Sequence, residues 1–86
     1  MYLHIGNHYY VRKQDIVGIF DMDNATYSHH TRETLNRAEK EGRLINAAEF
    51  EIPNTIVVCR DKDGEKWYLS MVTVQTLMKR VQEHII

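Results

Sequence analysis

Residues 55–70, TIVVCRDKDGEKWYLS, narrow the folds open to this chain more than any other stretch. The β-branched run Thr55-Ile56-Val57-Val58 and the later Trp67-Tyr68-Leu69 flank Asp61-Lys62-Asp63-Gly64. Asp and Gly tolerate the positive φ of a tight turn between antiparallel strands, so the pattern predicts a hairpin with strands over 55–60 and 65–71. A lone two-stranded ribbon is not stable in water. The rest of the chain must therefore cover it, and 86 residues suffice for one small domain, read as spanning 1–86.

Upstream, Leu3 and Ile5, then Tyr9 and Val11, then Ile16-Val17-Gly18-Ile19-Phe20 predict two or three short strands with a turn at Gly6-Asn7. Gly18 inside the third run signals either close approach by a neighbouring element or a bulge. Residues 21–28 are polar turn formers and read as a loop. A helix follows over 29–41, with Ser28 or Thr31 able to cap it and Gly42 to end it. Its apolar stripe is narrow, Leu35 and Ala38 with Thr31, and Glu33 stands four residues before Arg37 in the favourable order for an intrahelical pair. Leu44 and Ile45 then lead into a linker bearing Glu49 and Glu51. After the hairpin, Thr73 caps a second helix whose Val74, Leu77, Met78, Val81 and Ile85 share one side, which must dock on the sheet. The expectation is an α+β fold, a small mixed or antiparallel sheet with two helices.

Charge excludes some functions. Eleven basic and 12 acidic side chains give a net charge of −1, so no global field draws the chain to DNA or an anionic membrane; any such binding must be local. Cys59, the sole cysteine, lies in the apolar run IVVC and reads as a reduced, buried thiol. No stretch approaches the ~20 apolar residues of a membrane span, and the start MYLHIGNHYY is unlike a secretory leader, so a cytoplasmic location without membrane association is expected. The histidines His4, His8, His29, His30 and His84 fall in no metal-ligand spacing, and neighbours such as His29 and His30 diverge by about 100° on a helix. The stretch from Asp21 to Arg32 opens like a calcium loop but has Thr26 at its sixth position and Arg32 at its twelfth. No nucleophile motif or phosphate loop is present, so neither catalysis nor a cofactor is expected. What survives is a set of basic side chains: Arg12 and Lys13 before a strand, Arg32, Arg37, Lys40 and Arg43 on or after the first helix, and Lys79 and Arg80 on the last. Several copies held in one array would turn such weak phosphate contacts into useful affinity.

The order LHIG at 3–6, DIVGIFD at 15–21, RETLNRAEKEGRLI at 32–45, TIVVC, a hairpin, YLS and VTVQTLMKR at 72–80 resembles the bacterial extracellular-matrix regulators of the RemA and RemB family, with the first two segments more like RemB. The resemblance covers nearly the whole chain and rests on structural residues. It implies a domain of LytTR-like shape that forms ring-like homo-oligomers and activates biofilm-matrix genes by binding DNA. DNA-binding members carry a basic residue at the position of Asp15 and a basic pair at Glu51 and Ile52; here all three positions lack positive charge. An acid repels a phosphate, so those contacts do not transfer, and Arg12, Lys13 and Arg43 are the nearest replacements. The acidic linker instead suits a neighbouring subunit, with Glu49 or Glu51 meeting Arg32 or Arg37 of the next copy in a head-to-tail ring. The alternative is an oligomeric adaptor of the same fold that binds a regulator or a paralogue through that linker and not DNA.

Overall fold

The computed structural model describes residues 1–22 and 29–83, for 29–31 the backbone alone. The expected loop at 21–28, the caps Ser28 and Thr31, the side chains of His29 and His30, and His84 and Ile85 fall wholly or largely outside those residues.

The predicted hairpin is the centre of the molecule. Strands β5 (Thr55–Asp61) and β6 (Gly64–Ser70) pair antiparallel in unbroken register from Thr55 opposite Ser70 to Asp61 opposite Gly64. Gly64 takes the positive φ of 119°, while Asp63 stays at negative φ and donates its N–H to the Asp61 carboxylate at 2.7 Å. Strand β3 (Ile16–Asp21) pairs antiparallel with β5, and β4 (Leu44–Asn46) pairs parallel with β6, giving the order β3-β5-β6-β4. Strand β4 is absent from the sequence expectation. Of the two alternatives for Gly18 the bulge is seen: the β3 register slips between Ile16 and Gly18, and what a Cβ there would meet, at 2.7 Å, is the Phe20 ring of the same strand and not a neighbouring element.

Strands β1 (Tyr2–Gly6) and β2 (Tyr9–Arg12) form a separate two-stranded sheet that turns at Gly6 and Asn7, both at positive φ. The φ of 136° disfavours a side chain at Gly6, where an added Cβ would also lie 2.5 Å from the Met71 sulfur and make that side chain swing away. A 3-10 turn over Lys13–Asp15 links β2 to β3. Helix α1 (His29–Lys40) buries only Ala38 completely among its described side chains, as its thin stripe requires. Gly42, at φ 74°, closes it: the Arg43 N–H reaches the Ala38 carbonyl at 2.8 Å and the Gly42 N–H that of Glu39 at 3.1 Å, a Schellman ending. Helix α2 (Val74–Gln82) is capped by the Thr73 hydroxyl, which accepts from the Thr76 N–H, and it packs on β1 and β3.

The main core joins the two sheets and α2: Leu3, Ile5, Val11, Ala47, Val57, Cys59 and Leu77. Alternation along β5 turns Ile56 and Val58, also buried, to the opposite face. Two polar side chains are sealed inside. Ser70 Oγ donates to the Ile5 carbonyl and accepts from the Val72 N–H at 3.0 Å, and Thr55 Oγ1 donates to the Val72 carbonyl at 2.6 Å.

Candidate nucleic-acid interface

Strand register gathers cations at one end of the main sheet, the end of the β5–β6 turn. Cys59 pairs with Lys66 and Arg60 with Glu65, β3 begins with Ile16 opposite Cys59, and the Trp67 N–H donates to the Arg43 carbonyl at 2.9 Å. Arg12, Arg43, Arg60, Lys62 and Lys66 thus come from five segments to the rim at one end of the sheet, Lys66 on the face of Cys59, and Arg60 and Arg43 on the face of Glu65. Arg12 and Lys66 line a shallow cavity of about 180 Å³ together with Tyr2, Tyr10, Asp15 and Asp61. Tyr10 is exposed and stacks on His4 with ring centroids 4.7 Å apart. Tyr9 packs against the core, and Tyr27 lies outside the described residues.

The three expected DNA contacts do different work. Arg12 is half exposed and faces Asp15 at 4.0 Å, a distance that leaves the guanidinium able to turn outward. Lys13 points elsewhere: its Nζ donates to the carbonyls of Arg80 and Val81 at 3.2 and 3.1 Å, placing a positive charge on the carbonyl end of α2. Arg43 is held between two carboxylates, through Nε and Nη2 to Glu41 and through Nη1 to Glu65 at 3.5 Å. Glu65 also accepts from the Trp67 indole at 2.7 Å and from Arg60 at 2.9 Å. Those two hydrogen bonds and the nearby guanidinium charges hold its carboxyl below the usual carboxylate range, against the opposing effect of burial. Sequence reasoning missed Arg60, Lys62 and Lys66. The signal was present in the alternating charges of RDKDGEK, which a hairpin turn must present to solvent.

The residues expected at a subunit contact stand on two other surfaces. Arg32 and Arg37 are exposed on α1, where Arg37 shares a depression with Glu33, Asn36 and Lys40. Glu49 and Glu51 are exposed on the loop that follows β4. That loop is anchored: Ala47 and Ala48 are fully buried, Asn7 Nδ2 donates to the Ala47 carbonyl at 2.8 Å, and Asn46 accepts from the Ala48 N–H while donating to the Glu49 carbonyl. Glu49 itself sits at φ 55°. Beyond the anchor, Phe50 is fully exposed and Ile52 is 84% exposed.

Among the described residues, no group of three or more His, Cys, Asp or Glu is placed to hold a metal ion, and no helix is long and apolar enough to cross a membrane. Cys59 is buried and unpaired; burial, then the charges of Asp15 and Asp61, push its thiol up to about 11.

No curated protein matches this chain. The family model described as RemA-like, extracellular matrix regulatory protein A-like, matches residues 2–81, nearly every position from β1 to the last turn of α2. The strands, the helices and the charged rim all lie within that match, and the chain belongs to the RemA-like family of extracellular matrix regulatory proteins.

Proposed function

We propose that this protein is a non-enzymatic, cytoplasmic transcriptional regulator of extracellular-matrix and biofilm genes, of the RemB type and LytTR-like in shape, that binds DNA as a ring-like homo-oligomer. The family match over residues 2–81 carries the reading. Its physical support is the rim of Arg12, Arg43, Arg60, Lys62 and Lys66. Acids are interleaved there, namely Asp15, Glu41, Asp61, Asp63 and Glu65, so the rim of each copy carries no net charge and only the cations turned outward can meet a phosphate. A single copy would hold a duplex weakly, and repetition of the rim around an assembly supplies the affinity by raising the effective concentration of each further contact. Lys13, committed to α2, serves the fold, and Arg12 with Lys66 makes the foremost phosphate contacts. The subunit contact uses the loop after β4, with Glu49 and Glu51 facing cations of the next copy.

One observation favours a second reading, an adaptor of the same fold that binds a paralogous regulator. Where DNA-binding relatives resemble one another in carrying basic residues, this loop presents Phe50, Glu51 and Ile52. Titration into a duplex of a few helical turns at ~50 and ~200 mM salt, with particle mass measured alongside, separates the two readings. The regulator gives a multi-chain particle whose affinity falls steeply with salt. A multi-chain particle that ignores the duplex at the lower salt overturns direct DNA binding and leaves the adaptor.

A further inference from the structure

We infer that Phe50 and Ile52 of one copy insert into the apolar groove between β3 and α2 of the next copy, making a head-to-tail contact that repeats around the assembly. This rests on the reading above that the protein self-associates, and it names the surfaces that do so.

The loop is built as a projecting knob. An exposed phenylalanine on a mobile linker would mean little, but here Ala47 and Ala48 are buried and Asn46 brackets the turn from both sides, so Phe50 is presented from a fixed base. A rigid apolar anchor loses little conformational entropy on binding. Phe50 is fully exposed, so its own chain gives it no seat.

The same chain carries a seat elsewhere. Ile16, Gly18, Ile19, Met78 and Val81 line an open groove along β3, with Lys13 at its margin. Strand β3 ends the sheet order, so among the described residues one edge of its backbone has no strand beside it, and Val17, Phe20 and Met78 around it are 58, 49 and 43% exposed. Natural sheets cover or charge such an edge, and this one is apolar. The space beside Gly18 is taken by the chain's own Phe20 ring, which is half exposed and adds apolar surface next to the groove. Charge matches as well: Glu49 and Glu51 flank the knob, while Lys79 follows Met78 on an exposed turn of α2; Lys13, at the groove's margin, keeps its ammonium on the α2 carbonyls. Asp15, the acid at the head of β3, already faces Arg12. The depression on α1 is a poorer acceptor, since Glu33, Asn36, Arg37 and Lys40 would leave Phe50 on a polar surface.

Knob and groove share no residue. A contact between two different patches is heterologous, and it closes into a ring when the rotation per copy divides a full turn. This predicts a test that a symmetric, isologous contact fails. Phe50→Ser with Ile52→Ser removes the knob and keeps the groove; Met78→Glu spoils the groove and keeps the knob. All three positions are exposed, which spares the fold. By light scattering or sedimentation, each variant alone falls to single chains of 10.2 kDa at concentrations where the unaltered protein assembles, its contact weakened by about 30-fold or more. An equal mixture of the two variants recovers one good contact and gives a particle of two chains. The inference is overturned if the unaltered protein is a single chain, if either variant keeps the full assembly, or if the mixture stays monomeric. Duplex binding is read separately: an assembly that depends on Phe50 and Met78 yet ignores DNA sinks the proposed function and keeps this contact, and a DNA-binding assembly indifferent to both does the reverse.

Discussion

Replacing Ser70 by alanine removes a side chain that bonds β6 to β1 across the two sheets. Ser70 is fully buried; its Oγ donates to the Ile5 carbonyl and accepts from the Val72 N–H at 3.0 Å. Alanine fills nearly the same space, so packing changes little and the loss is polar. A buried group left unpaired costs about 1–3 kcal/mol, and taking the lower end for both partners gives about 2–3 kcal/mol. A domain of this size holds only about 4–13 kcal/mol of net stability, and each kcal/mol moves its Tm by roughly 4–8 °C. The expected fall is therefore about 10–20 °C. Thr55→Val supplies the scale: it is isosteric, equally buried, and removes one hydrogen bond, to the Val72 carbonyl at 2.6 Å, so it costs about half as much. Thermal and urea denaturation at one fixed protein concentration measure both, the fixed concentration removing the contribution of self-association. A Ser70→Ala loss below about 0.5 kcal/mol, the range of ordinary surface changes, refutes the claim that this hydroxyl ties the small sheet down. The consequence reaches the charged rim, because β2 carries Arg12 and is paired only to β1.

Arg12→Glu with Lys66→Glu removes the foremost phosphate contacts, and the slope of log affinity against log salt should become shallower by about 0.9 for each phosphate no longer neutralised; an unchanged slope places the DNA elsewhere. Glu65 titrates below the usual carboxylate range because it accepts from Trp67 and Arg60, so its contribution to stability is full above about pH 4.3 and is lost as pH falls through its lower folded value. Glu65→Gln should then be less stable than the unaltered protein at neutral pH, with the gap narrowing in acid denaturation; a gap independent of pH contradicts the assignment. Cys59, at 7% exposure and with its thiol pushed up to about 11, should resist alkylating reagents at pH 8 in the folded protein and react at once in denaturant. Rapid native labelling would mean that β5 opens.

Sequence alone carried the local structure. Period-two alternation marks β1 and β2, a β-branched run marks β5, the Asp-Gly turn marks the hairpin, Gly42 and Thr73 mark helix ends, and each signal works because it acts between residues a few positions apart. Strand β4 escaped because Leu44–Asn46 is too short to show a period and its parallel partner β6 lies some twenty residues away in the chain. The separation of β1 and β2 into their own sheet follows from seals such as Ser70 on Ile5, a pairing across 65 positions that no local pattern encodes. The functional surfaces are the same kind of case. Arg12 and Lys66 come to line one cavity only through the fold, and Lys13 was diverted to α2 by a bond across 67 positions. Sequence marks Ile52 only for its missing positive charge and Phe50 not at all; the fold, with Ala47 and Ala48 buried and Phe50 and Ile52 exposed, decided that they face outward. Composition sets how much apolar surface a chain owns, and only the folded arrangement of distant segments decides which part is left for another molecule.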